Sequence, residues 1–133
     1  MKAFDLDGVF IPDLVFENKQ LKDVLRFRSF NMQHVFEPRG DYYIITGRPN
    51  SDFKDTSDWI DRFFTNKPLK LFHSNTDFQN AADYKVSVLN ETTEIDIYIE
   101  SDILQVEYIR KYLSRNVRVI HFSEFIKEAL DNV

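Results

Sequence analysis

Five short apolar runs, separated by stretches with helical spacing, constrain this chain more than any other feature. Residues 1–4, the Tyr-Tyr-Ile-Ile core of Asp41 to Thr46, and residues 69–73, 95–99 and 117–122 have the length and composition of buried strands. Residues 20–36 are expected to hold a helix that ends at Pro38-Arg39-Gly40. Gly47-Arg48-Pro49-Asn50 then turns into a helix reaching about Phe64, with Asn50 or Ser51 as its cap. A further helix is expected around 84–91. Another is expected from Asp102 to Ser114, with Ile103, Val106, Ile109, Tyr112 and Leu113 on one side. A last one covers 123–131, capped by Ser123. Residues 9–18 read as a turn or small hairpin around Pro12-Asp13. Strands alternating with helices imply a parallel sheet with right-handed crossovers. The expected fold is therefore α/β, a Rossmann-like three-layer sandwich on a parallel sheet of about five strands.

The 133 residues suit one domain, 1–133, and a composition 43% hydrophobic and 15% aromatic can fill its core. Thirteen Phe and six Tyr argue against disorder. The absence of Cys excludes disulfides and thiolate metal sites. A net charge of −5 gives no global attraction to nucleic acid or to an anionic membrane, though a local basic patch stays open. No segment has the apolar length of a signal peptide or a membrane span, so a soluble, cytoplasmic protein is expected.

In open parallel sheets, sites lie just beyond the carboxyl ends of the strands. Those ends are where this chain places its reactive side chains. Asp5 and Asp7 follow the first strand and precede Gly8; residues two apart in a strand share a face. Thr46-Gly47-Arg48 follows the second strand, and Glu100-Ser101-Asp102 follows the fourth. Lys85 opens the helix leading into that fourth strand. If the strands are neighbours, acids, a hydroxyl and an ammonium converge on one crevice. That set can bind a metal and a phosphoryl group, and can attack phosphorus.

In this order the motifs Asp5-Leu6-Asp7-Gly8-Val9, Ile44-Ile45-Thr46-Gly47-Arg48, Lys85 and Ile97-Tyr98-Ile99-Glu100-Ser101-Asp102 resemble the signature of haloacid-dehalogenase-superfamily phosphatases. The resemblance spans residues 1 to about 122. It implies a phosphomonoesterase that needs Mg²⁺ and works through an aspartyl-phosphate. Asp5 would be the nucleophile, and Asp7 would protonate the leaving oxygen and then activate water. Thr46 would hold the phosphoryl oxygens, with Gly47 and Arg48 beside the substrate, and Lys85 would offset charge. The metal would be held by Asp5, by Asp7 through its backbone carbonyl, and by Glu100, with Asp102 as the second choice at the fourth motif. That motif departs from the usual pair of adjacent aspartates. His34, His73 and His121 are read as structural or surface residues, since nothing pairs them at ligand spacing.

Asp7 to Thr46 and Thr46 to Lys85 each span only 39 positions, already filled by elements the core needs. The expectation is a core without a cap domain, or with a short flap from residues 9–18. Such an open site suits a large phosphorylated substrate, such as a nucleotide or nucleic-acid end. It also suits a small one if another subunit of a homo-oligomer covers the opening. The stretch from Lys85 to Glu107 is also similar to the phosphatase domain of phage polynucleotide kinases. Arg26, Arg28, Arg39 and Arg48 are the candidate phosphate contacts. The rival expectation is a catalytically weak fold-mate that binds a nucleotide or a protein, with Phe27, Phe30 and Phe36 as surface candidates.

Overall fold

A computed structural model describes residues 1–12, 33–74 and 81–131. Its strands are β1 (Lys2–Phe4), β2 (Tyr42–Thr46), β3 (Lys70–His73), β4 (Ile97–Glu100) and β5 (Arg118–His121). Its α-helices are α1 (Phe53–Phe63), α2 (Ala81–Glu91), α3 (Ile103–Tyr112) and α4 (Phe122–Asp131). A 3₁₀ turn at Asn50–Asp52 leads into α1.

The strands form one five-stranded sheet in the order β3-β2-β1-β4-β5. Every pairing is parallel, with Lys2 opposite both Tyr42 and Ile97. β1 is the central strand. Side chains alternate along each strand, so consecutive residues feed opposite faces. Phe4, Ile44, Ile99 and Ile120 join Trp59 and Ile60 of α1 in one core. Ala3, Ile45, Tyr98 and Val119 join Val88 and Leu89 of α2, with Val106 and Ile109 of α3, in the other. Two apolar faces covered by helices explain why the strands read as unbroken apolar runs. The result is the expected three-layer α/β sandwich, and among the described residues there is no cap domain.

Several boundaries differ from the sequence expectation. Gln33 to Phe36 are not helical. Val35 N–H donates to the Phe10 carbonyl at 2.7 Å, and the Phe36 ring lies 5.7 Å from Phe4 and 5.5 Å from Phe10. Phe36 is thus part of an aromatic core cluster, not a surface platform. The rest of the expected 20–36 helix, with Arg26, Arg28, Phe27 and Phe30, lies outside the described residues, as do residues 13–18. Val9, Phe10 and Ile11 are buried, so they belong to the core and not to a flap. They close a tight turn in which Gly8 N–H donates to the Ile11 carbonyl at 2.7 Å. Gly8 takes φ 85° there, a conformation glycine adopts without a Cβ penalty.

α2 begins at Ala81, so Lys85 sits in its second turn and points inward. α4 begins at Phe122, which places Ser123 inside the helix and not at its cap. In α3 only Val106 and Ile109 are buried; Ile103 and Tyr112 are about half exposed. They lie at the two ends of the helix.

Candidate active site

The sheet brings the ends of β1, β2 and β4 to one edge, and the predicted residues meet there. The Asp5 amide donates to the Ile99 carbonyl at 2.8 Å, extending the β1–β4 pairing by one residue. This fixes the Asp5 carboxylate. Its Oδ1 accepts from the Leu6 amide at 2.9 Å and from Lys85 Nζ at 3.2 Å. Its Oδ2 accepts from the Ser101 hydroxyl at 2.9 Å. The open pocket in front of it has a volume of about 190 Å³, with Asp5, Asp7, Thr46, Lys85, Ser101 and Gln105 in its lining.

Lys85 is buried and spends its ammonium protons on Glu100 Oε1 at 2.7 Å, Gln105 Oε1 at 2.8 Å and Asp5. Burial pulls its pKa down, but the charges of Asp5 and Glu100 outweigh that and hold it above the ordinary value. Glu100 is fully buried. Burial disfavours its charge, yet Lys85 and its hydrogen bonds keep it below the usual carboxylate range. Asp5 goes the other way. Burial and the neighbouring Glu100 charge push it well up, against the opposing pull of Lys85. Lys67 pairs with Asp61 and Lys70 lies over the Phe72 ring, so neither competes with Lys85.

Thr46 is buried at the end of β2, where its hydroxyl oxygen accepts from the Arg48 amide at 3.2 Å. Gly47 allows the close approach of α2: a Cβ there would meet the Ala81 Cβ at 2.5 Å. Arg48 lines the same pocket, with its guanidinium engaged by neighbouring side chains. It is 1% exposed. Nε donates to Asp7 Oδ2 and Nη2 to Asp7 Oδ1, both at 2.8 Å. Nη1 donates to Thr56 Oγ1 at 3.0 Å and lies 3.7 Å from Asp52. Arg39 is exposed in its loop.

The expected metal ligands fall into two groups. Asp5 Oδ2 and the Asp7 carbonyl oxygen both lie 2.9 Å from Ser101 Oγ. These are hard oxygen donors, of the kind Mg²⁺ takes alongside water and substrate phosphate, and they fit such an ion. Glu100 and Asp102 line the same pocket and also accept hydrogen bonds from neighbouring groups. Glu100 Oε1 accepts from Tyr98 at 2.8 Å as well as Lys85, and Oε2 accepts from the amides of Ser101 at 3.0 Å and Asp102 at 3.1 Å. Asp102 caps α3 by accepting from the Leu104 amide at 2.9 Å. Among the described residues no group of three or more His, Asp or Glu side chains is arranged to hold a metal.

Tyr98, Gln105 and Thr56 are site residues that the sequence reading missed. Tyr98 stands two residues before Glu100 on the same strand face, a signal that was available. Gln105 carried none, because its partner Lys85 is 20 positions away, and Thr56, eight positions after Arg48, matches no site motif. His121 also enters the network: Nε2 lies 2.8 Å from the Ser101 carbonyl oxygen. No protein-family model, curated protein or solved structure matches this chain.

Proposed function

We propose that the chain is a Mg²⁺-dependent phosphomonoesterase that forms an aspartyl-phosphate on Asp5. One observation carries this reading: the Asp5 carboxylate ends the central strand and faces an open pocket between Lys85 at 3.2 Å and the Ser101 hydroxyl at 2.9 Å. Asp5 attacks phosphorus, the ester P–O bond breaks, and the leaving oxygen takes a proton from Asp7. Water then attacks the phosphoryl group and gives a proton to Asp7. The Asp5–phosphorus bond breaks and inorganic phosphate leaves. Lys85 offsets the charge gathered on Asp5 and the phosphoryl oxygens, and Thr46 donates its hydroxyl hydrogen to one of them. To transfer a proton, Asp7 must swing out of its two-point contact with Arg48. The Asp5 carboxylate, the Asp7 carbonyl and the Ser101 hydroxyl would hold Mg²⁺, with Glu100 and Asp102 ordering the loop behind them. When bound, the ion neutralises phosphate charge that would otherwise repel an anionic nucleophile.

The absence of a cap among the described residues supports a substrate whose body stays outside, such as a nucleotide or nucleic-acid end. Ile103 and Leu104, which precede Gln105 in α3, are 52% and 71% exposed. Among the described residues no helix is long and apolar enough to cross a membrane.

The test is turnover of p-nitrophenyl phosphate with Mg²⁺, followed by a panel of 3′-phosphorylated oligonucleotides, mononucleotides and sugar phosphates. Asp5→Asn is expected to abolish activity, and full activity in that variant overturns the reading. A second reading, a catalytically weak module that binds a nucleotide or protein, is favoured by the saturated Glu100 carboxylate. It predicts no turnover and no thermal shift with Mg²⁺ or beryllofluoride.

A further inference from the structure

We infer that His121 is a positioning residue that locks the Ser101 loop against the Asp5 carboxylate; the inference rests on the phosphatase reading for its activity arm only. Ser101 joins the end of β4 to the start of α3, and each of its polar groups is fixed. Its amide donates to Glu100 Oε2 at 3.0 Å. Its hydroxyl lies between Asp5 Oδ2 and the Asp7 carbonyl, 2.9 Å from each. Its carbonyl faces His121 Nε2 at 2.8 Å. Of these partners, only His121 comes from β5, whose register places it directly opposite Glu100.

The tautomer follows from the neighbours. Nδ1 faces the Ser123 amide at 3.2 Å and the Ser123 hydroxyl at 2.7 Å. An amide N–H can only donate, so Nδ1 accepts. The ring proton is then on Nε2, where it donates to the Ser101 carbonyl. Ser123, in the first turn of α4, holds the ring; the ring holds the carbonyl; and the peptide carrying that carbonyl sets the hydroxyl against Asp5. Without the His121 donor the Ser101 peptide is held only through its Asp102 N–H, which donates to Glu100 Oε2 at 3.1 Å, and the hydroxyl can leave the line between the two acceptors. Displacement of a contacting group by about 1 Å is enough to cost on the order of a hundredfold in rate.

The experiment compares His121→Gln with His121→Asn. A Gln amide nitrogen reaches the Nε2 position, and an Asn amide nitrogen reaches only Nδ1. His121→Gln is expected to keep kcat for p-nitrophenyl phosphate within about threefold of wild type, whereas His121→Asn loses about ten- to thirtyfold with KM little changed. Where wild type turns over substrate, equal kcat values in the two variants, whether both high or both low, overturn the inference. A second measurement needs no activity. In the metal-free protein, hydrogen exchange at the Ser101 and Asp102 amides should be at least about tenfold faster in His121→Asn than in wild type, with exchange in β1 unchanged. Unchanged exchange at both amides also overturns it. If wild type hydrolyses no phosphate ester while exchange responds as stated, the phosphatase reading fails and the positioning role stands.

Discussion

Arg48 grips Asp7 through two parallel hydrogen bonds of 2.8 Å, from a side chain that is itself 1% exposed. The planar guanidinium matches a carboxylate in a way no ammonium does. Its remaining donors go to Thr56 and toward Asp52, so the pair also ties the end of β1 to the 3₁₀ turn and α1. Arg48→Met should remove the guanidinium that Asp7 and Asp52 face and cost about 3 kcal/mol of stability. Urea unfolding measures this. The double variant Arg48→Met/Asp7→Asn should recover part of the loss, because one of the two carboxylate charges facing that position is then gone.

Asp5 offers a second test, with the opposite sign. Its folded-state pKa lies well above the ordinary 3.8, chiefly because it is buried and next to Glu100. The stability contributed by its neutral form is full below 3.8 and falls as pH rises through the folded value. At pH 7.5 in EDTA, Asp5→Asn should therefore be more stable than wild type, by about 1–2 kcal/mol. The difference should shrink toward pH 4. Thermal melts across that range give the comparison.

Gly47 and Ala81 make a steric prediction. An added methyl at Gly47 meets the Ala81 Cβ at 2.5 Å, closer than packed atoms tolerate. Gly47→Ala should cost about 1–3 kcal/mol. Relief by moving α2 outward also shifts Lys85 away from Asp5, so activity should fall more than stability alone explains. Urea titration and kcat measured well below the melting temperature separate the two effects.

His73 gives the stability a pH limb of its own. Burial lowers its pKa from 6.5, and the nearby Arg48 charge lowers it further, against the Ser74 carbonyl that accepts from its ring. The neutral ring is then the folded form. Its contribution is complete above 6.5 and is lost as pH falls from 6.5 toward the folded value. Over that window wild type should lose stability more steeply than His73→Phe, by at most about 1.4 kcal/mol per pH unit. The edge contact between His73 and Phe53 is of a kind the Phe variant keeps.

The strands were legible because both faces of a parallel sheet are buried, which writes Tyr-Tyr-Ile-Ile and Ile-Asp-Ile-Tyr-Ile into the chain as apolar runs. Asp5, Asp7, Thr46 and Glu100 were legible for a related reason: polar residues directly after such runs must lie at the strand ends. Lys85 was legible as a site residue, though not its depth within α2. What stayed hidden depends on pairing between residues far apart. Nothing in the sequence near Arg48 says that its partner lies 41 positions away at Asp7. Likewise, His121 looks like any strand-end histidine until β5 is placed beside β4. Phe36 looked like a surface ring because helical spacing was assumed where the chain instead turns into the aromatic core.

The central position of β1 has a consequence for the order of events in folding. Asp5 lies near the start of this chain, yet its amide pairs with Ile99 and its carboxylate with Ser101, a separation of 96 positions. β2 alone gives β1 only one neighbour. Closing so long a loop is entropically slow, and contacts of this range set folding rates. Asp5 is thus synthesised before the partners that fix it and is among the last of these residues to be held in place. A ribosome-bound chain that has not yet released β4 would carry Asp5 with no pocket around it.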